Sequence, residues 1–246
     1  MPVLTSLAGK RVVVSGGTTG IGRELIALLG EQGARVLTFG RHRPALDAAL
    51  DYAGGDNGAV TGLIADAACR DDVEKVFAEA DRQMGGVDIL VCCAGIGAQP
   101  IFEMAPTDWH YVIETNLVGY LACAHAAIAR MFDRSGGHLV FISSVSTQIK
   151  AEGESVYAAS KAGVEAFAET LRKEVAERNI KVSVIQPGSV DTDMQECSEA
   201  EKREAVAREA MLHAEEVADA IVYVLTRSSR TDILNLRIEP RLQKTH

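Results

Sequence analysis

Short apolar runs and amphipathic stretches alternate along this sequence, and that alternation limits the fold more than any other feature. The runs "RVVVSGG", "ARVLTF", "GAVTGLIA", "VDILVCC", "GHLVFIS", "IKVSVIQP" and "DILNLRI" are rich in β-branched residues and mostly apolar, as strands covered on both faces must be. Segments of helical period lie between them. "GIGRELIALLGEQGA" carries Ile21, Leu25, Leu28 and Leu29 and reaches Gly33, a C-terminal stop. "DDVEKVFAEADRQMGG", "TDWHYVIETNLVGYLACAHAAIARMF", "SVYAASKAGVEAFAETLRKEVAERN" and "AEEVADAIVYVLT" follow. The second of these opens on a Thr/Asp cap signal. The pattern predicts an α/β fold: one doubly wound parallel sheet of roughly seven strands, with helices on both faces and right-handed crossovers. A single domain is expected over residues 1–246. The segment 194–214 breaks the rhythm: it is charged and helix-prone. It reads either as a flap over a site or as an ordinary surface helix.

A hydrophobic content of 47% supplies a large core, and disorder is excluded. The net charge of −9 repels phosphate backbones, which argues against nucleic acid as a partner. No apolar run reads as a membrane span, and no signal peptide is visible. The cysteines number five, an odd count without a CxxC pair, so reduced thiols and a cytoplasmic setting are expected. Adjacent Cys92 and Cys93 read as buried. The histidines show no metal-ligand spacing, and no metal is expected.

The first run turns into the first helical segment through "SGGTTGIG". Gly16, Gly20 and Gly22 there suit a tight turn and close approach of backbone to a pyrophosphate at a helix N-terminus. The loop is not of the Walker type, because no Gly-Lys-Ser/Thr follows. The second run ends in "TFGRHRP", with Gly40 where an NAD site would carry an acid. Arg41 and Arg43 follow, and guanidinium groups bind a 2′-phosphate through paired hydrogen bonds. NADP(H) is therefore expected over NAD(H); the bland alternative is a solvated basic loop. Asp66 either accepts from an adenine amino group or starts the next helix. In "VYAASKAG", Tyr157 and Lys161 share one helix face. They are either a surface pair or a phenol whose acidity a cation adjusts.

The pieces together resemble the short-chain dehydrogenase/reductase family over essentially the full length. They are "GGTTGIG", "CCAG" (92–95), Asn116 in "ETNLVG", "ISSVS" (142–146), "YAASK" and "PGSVDT" (187–192), with Ser144 standing 13 residues before Tyr157. The resemblance implies a Rossmann-type fold and an oxidoreductase interconverting a ketone or aldehyde and an alcohol. It implies Tyr157 as general acid in reduction and base in oxidation. Lys161 would bind the nicotinamide ribose and lower the phenol's pKa. Ser144, preferred to Ser143 on its spacing, would bond the substrate oxygen, and Asn116 would position a relay water. The glycine loop would hold the cofactor through Gly16, Thr18, Thr19, Gly20, Ile21 and Gly22. Arg41, Arg43 and Asp66 would serve the adenosine end. Cys93, Ala94 and Gly95 would border the ribose with Tyr157 and Lys161. Pro187, Gly188, Val190 and Thr192 would hold the nicotinamide side.

Ile96, Val145 and Ile149 are expected to line the substrate pocket beneath the 194–214 flap. A homodimer or homotetramer would pair through the long helices near 107–133 and 156–178. Trp109, Tyr111 and Tyr120 read as packing or interface residues; His110, His125 and His138 read as structural. Two departures stand out. Cys92 and Cys93 replace asparagines whose hydrogen bonds cross-link strands, and a thiol bonds weakly, so that link is expected to be lost. The terminal "LNLRIEPRLQKTH" replaces a Val-Asp-Gly-Gly element. The competing readings are a catalytically idle nucleotide-binding or scaffold protein, and an epimerase or dehydratase.

Overall fold

A computed structural model describes residues 4–55, 58–132, 136–195 and 197–243. Each expected run carries a strand: β1 (Arg11–Ser15), β2 (Arg35–Gly40), β3 (Val60–Ile64), β4 (Ile89–Cys92), β5 (Gly137–Ile142), β6 (Ile180–Pro187) and β7 (Asn235–Ile238). They form one seven-stranded sheet in the order β3-β2-β1-β4-β5-β6-β7, and every pair is parallel. The order reverses between β1 and β4, which opens the switch-point crevice at the carboxyl ends of the strands.

Strand alternation sorts the core into two layers. Val12 and Val14 join Leu25, Leu29, Val217 and Ile221 on one face, while Val13 joins Phe77, Tyr120, Met131 and Val164 on the other. The helices of the first layer are α1 (Gly20–Glu31) and α9 (Ala214–Leu225); those of the second are α3 (Arg70–Met84), α5 (Gly119–Phe132) and α7 (Ser155–Val175). The central strands are buried except at or next to their ends, but β3 and β7 are partly exposed, because edge strands lose cover on their outer flank.

Several elements differ from the sequence expectation. Helix α2 (Arg43–Tyr52) was not expected; Pro44 at its start fixes φ in the helical range where no N–H is needed. The long segment expected as one helix is α4 (Pro106–Ile113), a π-helical turn (Glu114–Val118) and α5. The expected Thr/Asp cap lies inside the first turn of α4; Ala105 is its N-cap and Pro106 opens it. The stretch Pro106–Phe132 spans 27 residues and holds an 18-residue window of mean hydropathy 1.3, long and apolar enough by composition to cross a membrane, which the reading of the sequence did not flag. Its apolar side is accounted for by the sheet: Tyr120, Cys123, Ala124, Ala127 and Met131 sit in the core. The short α6 (Ser146–Ile149) was also not expected; α8 (Glu199–Ala207) forms the helical part of the 194–214 segment. A Ser198/Glu201 capping box starts α8.

Candidate active site

The turn from β1 into α1 is built by steric necessity. Gly16 has φ 72°, and a Cβ there would stand 2.6 Å from the backbone N and Cα of Ala94. A Cβ on Gly22 would run into the Gly16 carbonyl oxygen. The glycines thus let α1, β1 and the turn after β4 close on one another. Thr19, the N-cap of α1, makes no side-chain cap bond, so the first-turn amides face the loop as donors suited to a pyrophosphate. Thr192 arrives from the far side: a Cβ on Gly20 would meet its Cγ2 at 2.9 Å. Gly95 leaves space beside three reactive-site groups; a Cβ there would stand 3.5 Å from Lys161 Nζ, 3.6 Å from Asn116 Oδ1 and 3.8 Å from Met194 Cε. Amide donors at one end and an ammonium beside an uncrowded glycine at the other fit a dinucleotide.

At the adenosine end, Gly40 packs on Thr18, whose Cγ2 would lie 2.6 Å from an added Cβ. An acid at position 40 would therefore displace Thr18. Arg41 Nη1 donates to the Tyr111 hydroxyl at 2.6 Å, and that hydroxyl donates to Asp66 Oδ2 at 2.7 Å. Asp66 Oδ1 accepts the Ala68 amide at 2.9 Å, closing the turn that precedes α3. Tyr111 is thus more than a packing residue: it joins the cation after β2 to the carboxylate after β3. Arg43 stands at the first position of α2 and faces Asp47 at 3.6 Å, exposed to solvent; it is part of a helix rather than of a loop.

The residues implied for catalysis converge from α5's π-helical entry, β5 and α7. The π-turn carries Asn116, fully buried; such turns recur at functional sites. Its amide brackets Ile96, accepting the Ile96 N–H and donating to the Ile96 carbonyl, both at 2.9 Å. It also donates to Ser160 Oγ at 3.2 Å, and Ser160 donates to the Tyr157 carbonyl at 2.7 Å. Lys161 is only 3% exposed. Its ammonium donates to the Ile142 carbonyl at 2.9 Å and to the Tyr120 hydroxyl at 3.4 Å, and lies 5.8 Å from the centre of the Tyr157 ring. Tyr120 is therefore a site neighbour as well as a core residue.

Burial dominates the protonation of both groups. It pushes the Tyr157 phenol up to about 12, against a hydrogen bond with Ser144 that pulls it down. It pulls Lys161 down to about 8. The expected lowering of the phenol by Lys161 is not found within the chain itself: burial, Ser144 and the charge of Glu154 set it, and the ammonium spends its nearest contacts on Ile142 and Tyr120. Desolvation of a phenolate exceeds the gain from a cation whose donors point elsewhere.

The two adjacent serines differ in their contacts. Ser143 Oγ donates to Glu165 Oε1 at 2.6 Å, whereas Ser144 Oγ accepts the Ser146 amide at 3.1 Å and donates to Ser146 Oγ at 3.2 Å. The same Glu165 oxygen accepts from Thr147 Oγ1 at 2.9 Å and Gln186 Nε2 at 2.6 Å. One carboxylate of α7 thereby ties together β5, α6 and β6 around Ser144. Reading the sequence missed it, because its partners lie 18 to 22 residues away and no local motif marks them.

The Cys92 thiol is fully buried; burial first, then a hydrogen bond with Cys123, hold it well above the usual thiol range. Burial likewise raises Cys93 to about 12. Strands β1 and β4 are still cross-linked beyond the ladder by Ser15, whose hydroxyl accepts the Ala94 amide at 3.3 Å. The link expected to be lost with the asparagines is thus carried in part from the neighbouring strand.

The expected substrate wall is only loosely assembled. Ile96 is bracketed by Asn116, and Val145 is buried, its amide on the Pro187 carbonyl at 3.0 Å. A cavity of about 350 Å³ runs along α6 and α7, lined by Thr147, Lys150, Ser155 and Ala158 among others. Another, of about 230 Å³, lies under α8 beside Asp191, Lys202 and His213. Neither is lined by Ile96, Val145 or Ile149. Among the described residues, no group of three or more His, Cys, Asp or Glu side chains is placed to hold a metal ion.

Residues 10–203 match the profile of the short chain dehydrogenase family. The chain belongs to that family. Two relatives described as uncharacterized oxidoreductases agree: one from Staphylococcus aureus is 30% identical over 238 residues, covering 96% of this chain and all of the relative. One from Staphylococcus epidermidis is 30% identical over 232 residues, covering 94% and 97%. A short-chain type dehydrogenase/reductase from Mycobacterium marinum superimposes with a TM-score of 0.85 at 28% identity, covering 96% of each chain. A Serratia marcescens short-chain dehydrogenase/reductase variant shares the fold at a TM-score of 0.86 and 24% identity, covering 98% of this chain and 100% of the other. As a short-chain dehydrogenase/reductase, the protein is an oxidoreductase that uses a nicotinamide dinucleotide.

Proposed function

We propose that this protein is an NADP(H)-dependent carbonyl reductase or alcohol dehydrogenase for a small or medium ketone or secondary alcohol, with Tyr157 as its acid/base. The observation that carries this reading is a buried ammonium within 5.8 Å of the Tyr157 ring whose hydroxyl also engages Ser144. The glycine loop and the Gly95 space would hold the dinucleotide, with Pro187, Gly188, Val190 and Thr192 on its nicotinamide side. Bound there, NADP(H) supplies the hydride. Ser144 holds the carbonyl oxygen and stabilises the charge that develops on it. Tyr157, held protonated at neutral pH by its burial, gives its proton to that oxygen. Lys161 would bind ribose hydroxyls, and Asn116 holds the loop at Ile96 after β4 and would hold a proton-relay position behind the lysine.

Arg41, freed of any competing acid at position 40, takes the 2′-phosphate. A Km for NADPH at or above that for NADH would overturn this cofactor preference. All five cysteines are free, which fits the reducing cytoplasm. Exposed Val118, Leu121 and Phe132 on the long helix that ends in α5 support assembly into a homodimer or homotetramer through the long helices, each subunit a single domain.

The test mixes protein, NADPH and a panel of ketones and follows the reduced-nicotinamide absorbance. Turnover is expected for the wild type. Tyr157→Phe should abolish it and keep NADPH binding; undiminished turnover by that variant sinks the assignment. The reduction rate should hold steady below about pH 8 and fall above it, because Lys161 loses its charge as the pH passes its value of about 8.

A further inference from the structure

The segment that follows β7 departs from the family's usual ending, and it is not idle. Residues 239–243 cross the molecule at the base of the 190–212 excursion and touch both of its roots. At the first root, Gln243 Oε1 accepts the Ser189 amide at 2.8 Å, and Gln243 Nε2 reaches Ser189 Oγ at 3.4 Å. Gly188 lies flush beneath: a Cβ there would collide with the Gln243 side chain and come within 2.9 Å of Pro240 Cδ. The Gly188 amide also donates to the Ile238 carbonyl at 2.8 Å, extending the ladder between β6 and β7. At the second root, Glu209 ends the turn after α8 with φ 57°. Its carbonyl accepts the Leu242 amide at 2.9 Å, and its carboxylate pairs with Arg241.

The two roots also hold each other. Leu212 N donates to the Ser189 carbonyl at 2.9 Å, and Asp191 N donates to the Leu212 carbonyl at 2.9 Å. From this pinched base the chain runs directly to the site: Thr192 lies against Gly20, and Met194 lies against Gly95 and Gly97.

We propose that residues 239–243 are a strap that fixes the angle of the flap over the dinucleotide, with Gln243 as its positioning residue. This rests on the reading of Pro187–Thr192 as the nicotinamide-side loop. The physical reason is that the Ser189 amide and the Glu209 carbonyl belong to the two ends of one excursion, and a single short segment bonds both. Without Gln243, the Ser189 amide loses the acceptor that the side chain supplies, and the base of the flap is free to hinge. The ligand affected is the nicotinamide half of the cofactor, not the adenosine half, which binds across the sheet at β2 and β3.

The test compares wild type, Gln243→Ala and Gln243→Glu. The glutamate keeps an acceptor for the Ser189 amide and serves as the rescue. Limited trypsin digestion without cofactor reads the flap at Lys202, Arg203 and Arg208. Gln243→Ala should be cut there about 5-fold faster or more, since cleavage follows the population of the open form; Gln243→Glu should track the wild type. NADPH should bind Gln243→Ala about 3- to 10-fold more weakly, as expected for lost preorganisation, while 2′,5′-ADP, which carries only the adenosine half, binds unchanged. Cleavage of Gln243→Ala at the wild-type rate overturns the strap, as does an equal weakening of NADPH and 2′,5′-ADP. If 2′,5′-ADP fails to bind the wild type, the NADP(H) reading falls instead, and the digestion alone decides the strap.

Discussion

Strands β4 and β5 lie side by side in register, Ile89 opposite His138 and Cys92 opposite Phe141, yet they end in opposite chemistry. β4 is apolar along its length and ends in two buried or half-buried thiols. β5 carries a histidine near its start and runs into serines just past its end. His138 near its start bonds Ser183 Oγ at 2.8 Å, and Ser143, bonded to Glu165, and Ser144, bonded to Ser146, follow its end. The difference shows where the site's rigidity is kept. A thiol pair contributes packing, and the directional bonds come from Ser15, Asn116 and Glu165 on other elements. Polar groups are buried where a partner with good geometry exists, and apolar atoms fill the rest.

Substitutions at matched places along the two strands break or sharpen this contrast. The largest effect is expected at the end of β5. Ser144→Ala should lower kcat for ketone reduction about 100-fold or more, as for a lost oxyanion donor, with the melting temperature little changed. A kcat within a few-fold of wild type would mean the β5 end is structural only.

Next comes the carboxylate behind it. Glu165→Ala removes an acceptor shared by three buried side chains, of which Ser143 and Thr147 keep a backbone carbonyl and Gln186 loses its partner; this should cost about 1–3 kcal/mol of stability by chemical denaturation. It should also lower kcat, and in the Ser144→Ala background that loss in kcat should vanish, because Glu165 acts through the serine's position. An undiminished loss in the double variant would uncouple the two.

The start of β5 gives a smaller effect that depends on pH. Burial, with Lys181 second, holds His138 at about 3, below its ordinary value of 6.5. The unfolded chain therefore takes up a proton that the folded chain refuses. The stability is fully present above about 6.5 and is lost as the pH falls toward 3, by at most about 1.4 kcal/mol per pH unit. His138→Gln should flatten the fall measured by denaturation between pH 7 and pH 5. An unchanged slope would place the acid sensitivity elsewhere.

The smallest effect is expected at the end of β4. Cys93→Asn should change stability by no more than about 0.5 kcal/mol, because Ser15 already engages the Ala94 amide. A larger gain would show that the thiol end lacks a directional bond it needs.

Much of the fold was legible because its cause is local. Burial on two faces demands continuous apolar runs, so the strands could be read directly, and the strand–turn–helix position of "SGGTTGIG" marked the crevice. Local chemistry also placed Tyr157 and Lys161 on one face of α7. Helix α2 escaped because His42, Arg43 and Pro44 look like a basic loop until the proline is seen as a helix opening. The π-turn escaped because a five-residue hydrogen-bonded register leaves no mark in an apolar stretch that is helical on both sides.

By itself, then, the order of residues determined the layer architecture, the family and the list of groups that reach the carboxyl ends of the strands, since periodicity, glycine placement and side-chain type are properties of neighbouring positions. Only the tertiary structure decided that Ser143 bonds Glu165 while Ser144 bonds Ser146, that Tyr111 bridges Arg41 to Asp66, and that Gln243 holds Ser189 from 54 residues away. Those outcomes depend on donors and acceptors that meet only after the sheet has brought distant segments within about 3 Å of one another, the reach of a hydrogen bond.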